Sequence, residues 1–86
     1  MRELLIDGEL IHSKNDFYDA VRSQLSVPDY FGNNLDALHD IMTEYSEPVR
    51  LTIKHLTSLR KSLGSTYLML LFTVMTESEG QILILS

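Results

Sequence analysis

The sequence predicts an α/β fold, a three-stranded parallel sheet packed with about four helices. Three observations lead there. Apolar, β-prone runs stand at residues 4–6, 49–53 and 81–85. Segments of helical periodicity fill both intervals between them, and each interval is far longer than a hairpin loop. A chain of 86 residues with 44% hydrophobic and 22% charged residues is expected to form one small domain spanning 1–86, of ordinary globular composition.

The first run, Leu4 to Ile6, is closed by the turn pair Asp7-Gly8, after which Leu10-Ile11 resumes briefly. Ser13 is placed to cap a helix, with Asp16 three residues on as in a capping box. Phe17, Ala20, Val21 and Leu25 follow at helical spacing, and the helix should end near Leu25, ahead of Pro28. Asn33 or Asn34 is the natural N-cap of a second helix whose apolar positions are Leu35, Leu38, Met42 and Tyr45. Pro48 breaks it, and residues 49–53 alternate as a half-buried strand does.

Leu56, Leu59 and Leu63 mark a short third helix that Gly64 can terminate, with Arg60 and Lys61 suited to its C-terminal dipole. Ser65 or Thr66 opens a fourth, carrying Leu68, Leu71, Phe72 and Met75 and ended by Gly80. It is apolar on most sides and should be the most buried helix. The final run at 81–85 is continuously apolar, which predicts a strand covered on both faces or central in the sheet.

Charge is distributed unevenly. Between Arg22 and Arg50 there is no Lys or Arg, but there are five acids: Asp29, Asp36, Asp40, Glu44 and Glu47. The seven other acids are matched by all seven bases, so the whole formal charge of −5 sits in this window. Such a balance argues against nucleic acid or an anionic membrane as partner, because both are held by Lys and Arg. It points to a cationic protein surface. The absence of cysteine excludes disulfides, thiolate zinc sites and a Cys nucleophile, and favours a reducing compartment. The N-terminus has too short an apolar stretch for a signal peptide or a membrane span, so a cytoplasmic location is expected.

Within the window, Asp36 and Asp40 lie one turn apart on the second helix and repel each other mildly. Asp36 can complement the N-terminal helix dipole, whereas Asp40 lies beyond the first turn and gains little from it. An exposed pair has no desolvation to separate two pKa values, so acid–base catalysis is not expected. His39 beside Asp40 is a lone local imidazole, with His12 and His55 on other elements, and neither a metal nor another cofactor is expected. Tyr30 and Phe31, ahead of Gly32, should divide into one exposed and one packed aromatic, and an exposed Tyr there is a natural interface anchor. No phosphate-binding loop or Ser-His-Asp arrangement is present, and the chain is not read as an enzyme.

The segment from Val27 to Thr43 resembles the signature of the barstar family, intracellular inhibitors of barnase-type secreted ribonucleases. The matching residues are Pro28, Asp29, Tyr30, Phe31, Gly32, Asn34, Leu35, Asp36, Ala37, Leu38, Asp40 and Thr43. The likeness continues more loosely through Gly8-Glu9, the strand after Pro48 and the Ile84-Leu85-Ser86 end. It implies a three-stranded parallel sheet with packed helices, whose second helix and preceding loop plug the active-site groove of a basic ribonuclease. In that picture Asp40 replaces an RNA phosphate before Arg and His groups, and Asp36 pairs with a cation at the rim. Tyr30 packs on a catalytic His, and Gly32, Asn34 and Thr43 complete the contacts.

Two departures stand out. His39 occupies the place of a family Trp, and the family's acidic contact on the fourth helix falls near Val74 or Met75, with Glu77 and Glu79 displaced. The expected partner is a basic, extracellular-type ribonuclease resembling barnase, and the free protein is expected to be a monomer, since its acidic face discourages self-association through that face. The alternative reading is an acidic docking domain for another basic protein, without nuclease inhibition.

Overall fold

A computed structural model of the chain describes residues 2–29, 31–44 and 47–86. Strand β1 (Arg2–Asp7) leads through a 3₁₀ turn (Gly8–Leu10) into helix α1 (Lys14–Gln24). Then follow α2 (Leu35–Glu44), β2 (Val49–Lys54), α3 (Leu56–Leu63), α4 (Ser65–Glu77) and β3 (Gln81–Ile84). The sheet is parallel, in the order β1-β2-β3. Leu4, Leu51 and Ile82 form one cross-strand row, and Ile6, Ile53 and Ile84 the next.

These rows face the helices. Leu4, Ile6, Val49, Leu51 and Ile53 join Phe17, Tyr18 and Val21 of α1, Leu38, Ile41 and Met42 of α2, and Leu68, Leu71 and Met75 of α4 in one core. Each fully buried side chain of this size contributes roughly 1.5–3 kcal/mol by leaving water. All apolar strand residues of that core lie on one face, so the helices form a single layer over the sheet.

Local chemistry sets the helix ends. The Ser13 hydroxyl accepts the Asp16 N–H at 3.2 Å, and the Asp16 carboxylate reaches back to the His12 N–H at 2.9 Å. At α3, Gly64 adopts φ +89° and its N–H closes on the Arg60 carbonyl, the left-handed exit that glycine permits. The 3₁₀ turn packs tightly on α3, and a Cβ at Gly8 would lie 2.2 Å from the His55 carbonyl oxygen and 2.7 Å from the Leu59 nitrogen. The open edge of β1 is occupied by a side chain: the Gln24 amide accepts from the Leu5 N–H and donates to the Leu5 carbonyl, both at 2.8 Å. Such pairing blunts an edge that could otherwise recruit another strand.

Three expectations need correction. The 81–85 run is an edge strand with exposed residues, and the central position belongs to β2. Apolarity marks a segment as β-prone, but strand order is decided by the crossovers, which place β2 between its neighbours. Helix α4 is not the most buried: Met69 and Leu70 are 65% and 49% exposed and Phe72 is half-buried, because only one stripe of α4 reaches α2, α3 and β3. On α2, Ile41 is buried and Leu35 only half-buried, so the core-facing stripe is turned from the one expected; Tyr45 lies outside the described residues.

Candidate functional site

The acidic window folds into the loop after α1 and helix α2. Arg22, from the last turn of α1, fixes that loop. One Nη2 donates to the Phe31 carbonyl at 2.6 Å and to Asn33 Oδ1 at 2.8 Å, and the guanidinium lies 5.0 Å from the Phe31 ring centroid. Phe31 is buried against Tyr18, and its N–H bonds the Pro28 carbonyl. The expectation of one packed aromatic in the pair is met by Phe31; Tyr30 lies outside the described residues.

Asn34 is the N-cap of α2, its Oδ1 accepting the Ala37 N–H at 2.8 Å. A cap of this type is worth about 1 kcal/mol relative to Ala. It starts the helix at Leu35, and that start sets the direction in which every later side chain projects. Asp36, Asp40 and Glu44, each four residues from the last, then stand in a column on the exposed face. With Pro28, Phe31, Asn34, Ala37 and Ile41 they line a concavity of about 400 Å³, floored by apolar groups and rimmed by carboxylates.

Among the described residues, the ion pairs are Arg2–Glu47, Glu3–Arg50 and His55 with Asp7 and Glu9. None involves Asp36, Asp40 or Glu44. Three like charges on successive turns with no cation beside them repel one another, a cost that a basic partner would relieve.

The other proposed contacts fall around this column. Gly32 is half-buried in the loop, and a Cβ there would come within 2.9 Å of Asn34 Nδ2. His39 is half-buried on α2 and does not line the concavity. Thr43 is exposed, donates its hydroxyl proton to the Asp40 carbonyl at 2.9 Å, and lines a neighbouring hollow of about 290 Å³ with Glu47, Glu77 and Glu79. The structure thus brings Asn34, Asp36 and Asp40 together in one concavity and puts Thr43 in the next. Met75 is fully buried, so acid on the α4 side of that hollow comes from Glu77 and Glu79.

Sequence reasoning missed Arg22, which positions the loop, and Ile41 and Glu44 as parts of the concavity. The only signal for Arg22 was its place as the last base before the acidic window. A second titratable cluster lies at the C-terminal end of β1. His55 Nδ1 is 2.8 Å from Asp7 Oδ1 and its Nε2 is 3.4 Å from Glu9 Oε1. The hydrogen bond from His55, with that from the Glu9 N–H, holds the Asp7 carboxyl below the usual carboxylate range.

No helix among the described residues is long and apolar enough to cross a membrane. The chain matches the family model "Barstar (barnase inhibitor)" over residues 1–82. It is also 36% identical over 66 residues to the Bacillus subtilis (strain 168) protein named "Putative ribonuclease inhibitor YrdF", covering 76% of this chain and 72% of that protein.

Proposed function

Since the chain belongs to the barstar family of barnase inhibitors, we propose that it binds a basic, barnase-like secreted ribonuclease and occludes its active site with α2 and the preceding loop. The column of unpaired carboxylates at Asp36, Asp40 and Glu44, rimming an apolar-floored concavity, is the observation that carries this reading. A ribonuclease site is lined with cations that hold phosphates. A carboxylate is the side chain that best substitutes for a phosphate there, and charge-assisted bonds to Arg are strong and directional.

Asp40, mid-column, takes the central place against the catalytic cations, and Asp36 pairs with a cation at the rim. Gly32, Asn34, His39 and Thr43 complete the contacts with the enzyme, and Tyr30 packs on a catalytic His. The protein itself performs no chemistry: it acts by excluding substrate, in the cytoplasm, as the immunity protein of a cell that exports the nuclease. The concentrated negative field also speeds encounter with a basic partner, an effect that salt weakens.

The test is calorimetric titration of a cognate ribonuclease with wild type and Asp40→Ala. Removing one member of a desolvated charge pair strands the other, so binding should weaken by at least about 2 kcal/mol, roughly 30-fold in Kd. A loss below about 0.5 kcal/mol, the level of an exposed pair, would remove Asp40 from the centre of the site.

A further inference from the structure

Among the described residues, the sheet has helices on one face only. Parallel sheets are normally covered on both. On the uncovered face the strand register creates three rows: Glu3–Arg50–Gln81, then Leu5–Thr52–Leu83, then Asp7–Lys54 beside Leu85. Leu5, Leu83 and Leu85 are 43%, 41% and 53% exposed. β1 therefore contributes two acids to this face, β2 contributes two bases at the same heights, and an apolar row lies between the charged ones.

We propose that this face is a self-association surface whose occupant is a second copy of the chain, stacked sheet to sheet about a two-fold axis that runs along the strands between β1 and β2. The charge pattern selects that axis. It brings β1 of each copy opposite β2 of the other at unchanged height, so the Glu3–Arg50 pair, already joined at 3.6 Å within each chain, meets its copy with acid over base, Asp7 meets Lys54, and Leu5 lies over the buried Thr52, each contact occurring twice. A two-fold axis across the strands would instead set Glu3 on Asp7 and Arg50 on Lys54, acid on acid and base on base. With the selected axis, β3 overhangs the outer edge of the opposing β1. There Leu5, Leu10 and Ala20 line a hollow of about 320 Å³ suited to Leu83 of the second copy.

Facing sheets pack about 10 Å apart at a shallow angle, a gap that Glu, Arg and Lys side chains span. The face is neutral overall. The net negative charge that opposes self-association lies on α2, in the helical layer on the far side of the sheet, so the dimer leaves the concavity at Asp36 and Asp40 open. Three strands make a surface only about 14 by 20 Å in plan, small for an interface, so association is weak, with a dissociation constant on the order of 100 µM.

Sedimentation equilibrium on the full chain, from about 10 µM to about 1 mM, tests this across the range such a weak interface requires. Wild type should shift from monomer to dimer. Arg50→Glu makes the first row wholly acidic and Glu3→Arg makes it wholly basic, so each variant alone should associate at least about 10-fold more weakly, as expected for loss of about 1.4 kcal/mol. Mixed in equal amounts, the two should regain dimer, because each row then meets its opposite. Both side chains are exposed, and near-ultraviolet circular dichroism confirms that the fold is kept. Wild type that stays monomeric throughout, variants that dimerise alone as well as wild type, or a mixture that stays monomeric would each overturn the proposal.

Discussion

Replacing Arg22 with Ala removes the clamp that joins α1 to the binding loop. Two hydrogen bonds from a charged donor are lost, to the partly buried Phe31 carbonyl at 2.6 Å and to the exposed Asn33 amide at 2.8 Å, together with the cation over the Phe31 ring. A bond to a charged group is worth about 1.5–3 kcal/mol when sheltered and much less when solvated, so the sum should be about 2 kcal/mol of folding stability. In urea, with a slope near 1.3 kcal/mol/M for a chain of this size, the midpoint should fall by about 1.5 M at unchanged slope. Binding should weaken as well, by about 1 kcal/mol, since a loosened loop must be ordered on association. Arg22→Lys should recover only part of either loss, because the shorter side chain reaches less far and its ammonium lacks the planar face that the guanidinium lays over the Phe31 ring. A midpoint within about 0.4 M of wild type, which is about 0.5 kcal/mol at this slope, or full rescue by Lys would refute the clamp.

Other positions give equally direct expectations. Asn34→Ala should cost about 1 kcal/mol by chemical denaturation through loss of the α2 cap, and Asn34→Ser should restore most of it. Gly8→Ala should cost at least about 2 kcal/mol, since its methyl would meet the His55 and Leu59 backbone, which cannot rotate aside. Asp7→Asn should flatten the acid side of the stability–pH curve. The folded carboxyl is held below its ordinary value of 3.8, so its stabilisation is complete above that pH and disappears as the pH falls through the lower folded-state value. Melting curves of the two proteins that stay parallel down to pH 2 would count against that assignment, a range that spans an ordinary carboxylate titration.

What the sequence made legible was what short segments decide for themselves. Ser13 with Asp16, the Asn33-Asn34 pair, and Gly64 after Leu63 announced helix ends that the structure keeps, with Asn34 the cap of α2, and the parallel three-stranded sheet followed from the lengths between β runs. The column at Asp36 and Asp40 was visible because helical spacing fixes it. Hidden were features set by partners distant in sequence. Arg22 reaches Phe31 only because the chain folds back after α1, and Gly8 is tight only because α3 returns beneath it. The edge position of β3 and the exposure of Met69 and Leu70 were misjudged for the same reason: apolar content tells what a segment can bury, and neighbours decide how much it does.

The most direct test of occlusion is a titration of ribonuclease activity. A fixed amount of a basic, barnase-type ribonuclease should lose activity in proportion to added protein, reaching complete inhibition at one equivalent, and a short RNA oligonucleotide should compete with the protein for the enzyme. A tight complex that still cleaves RNA at the full rate would contradict the account and mark α2 as a docking surface that leaves the active site open.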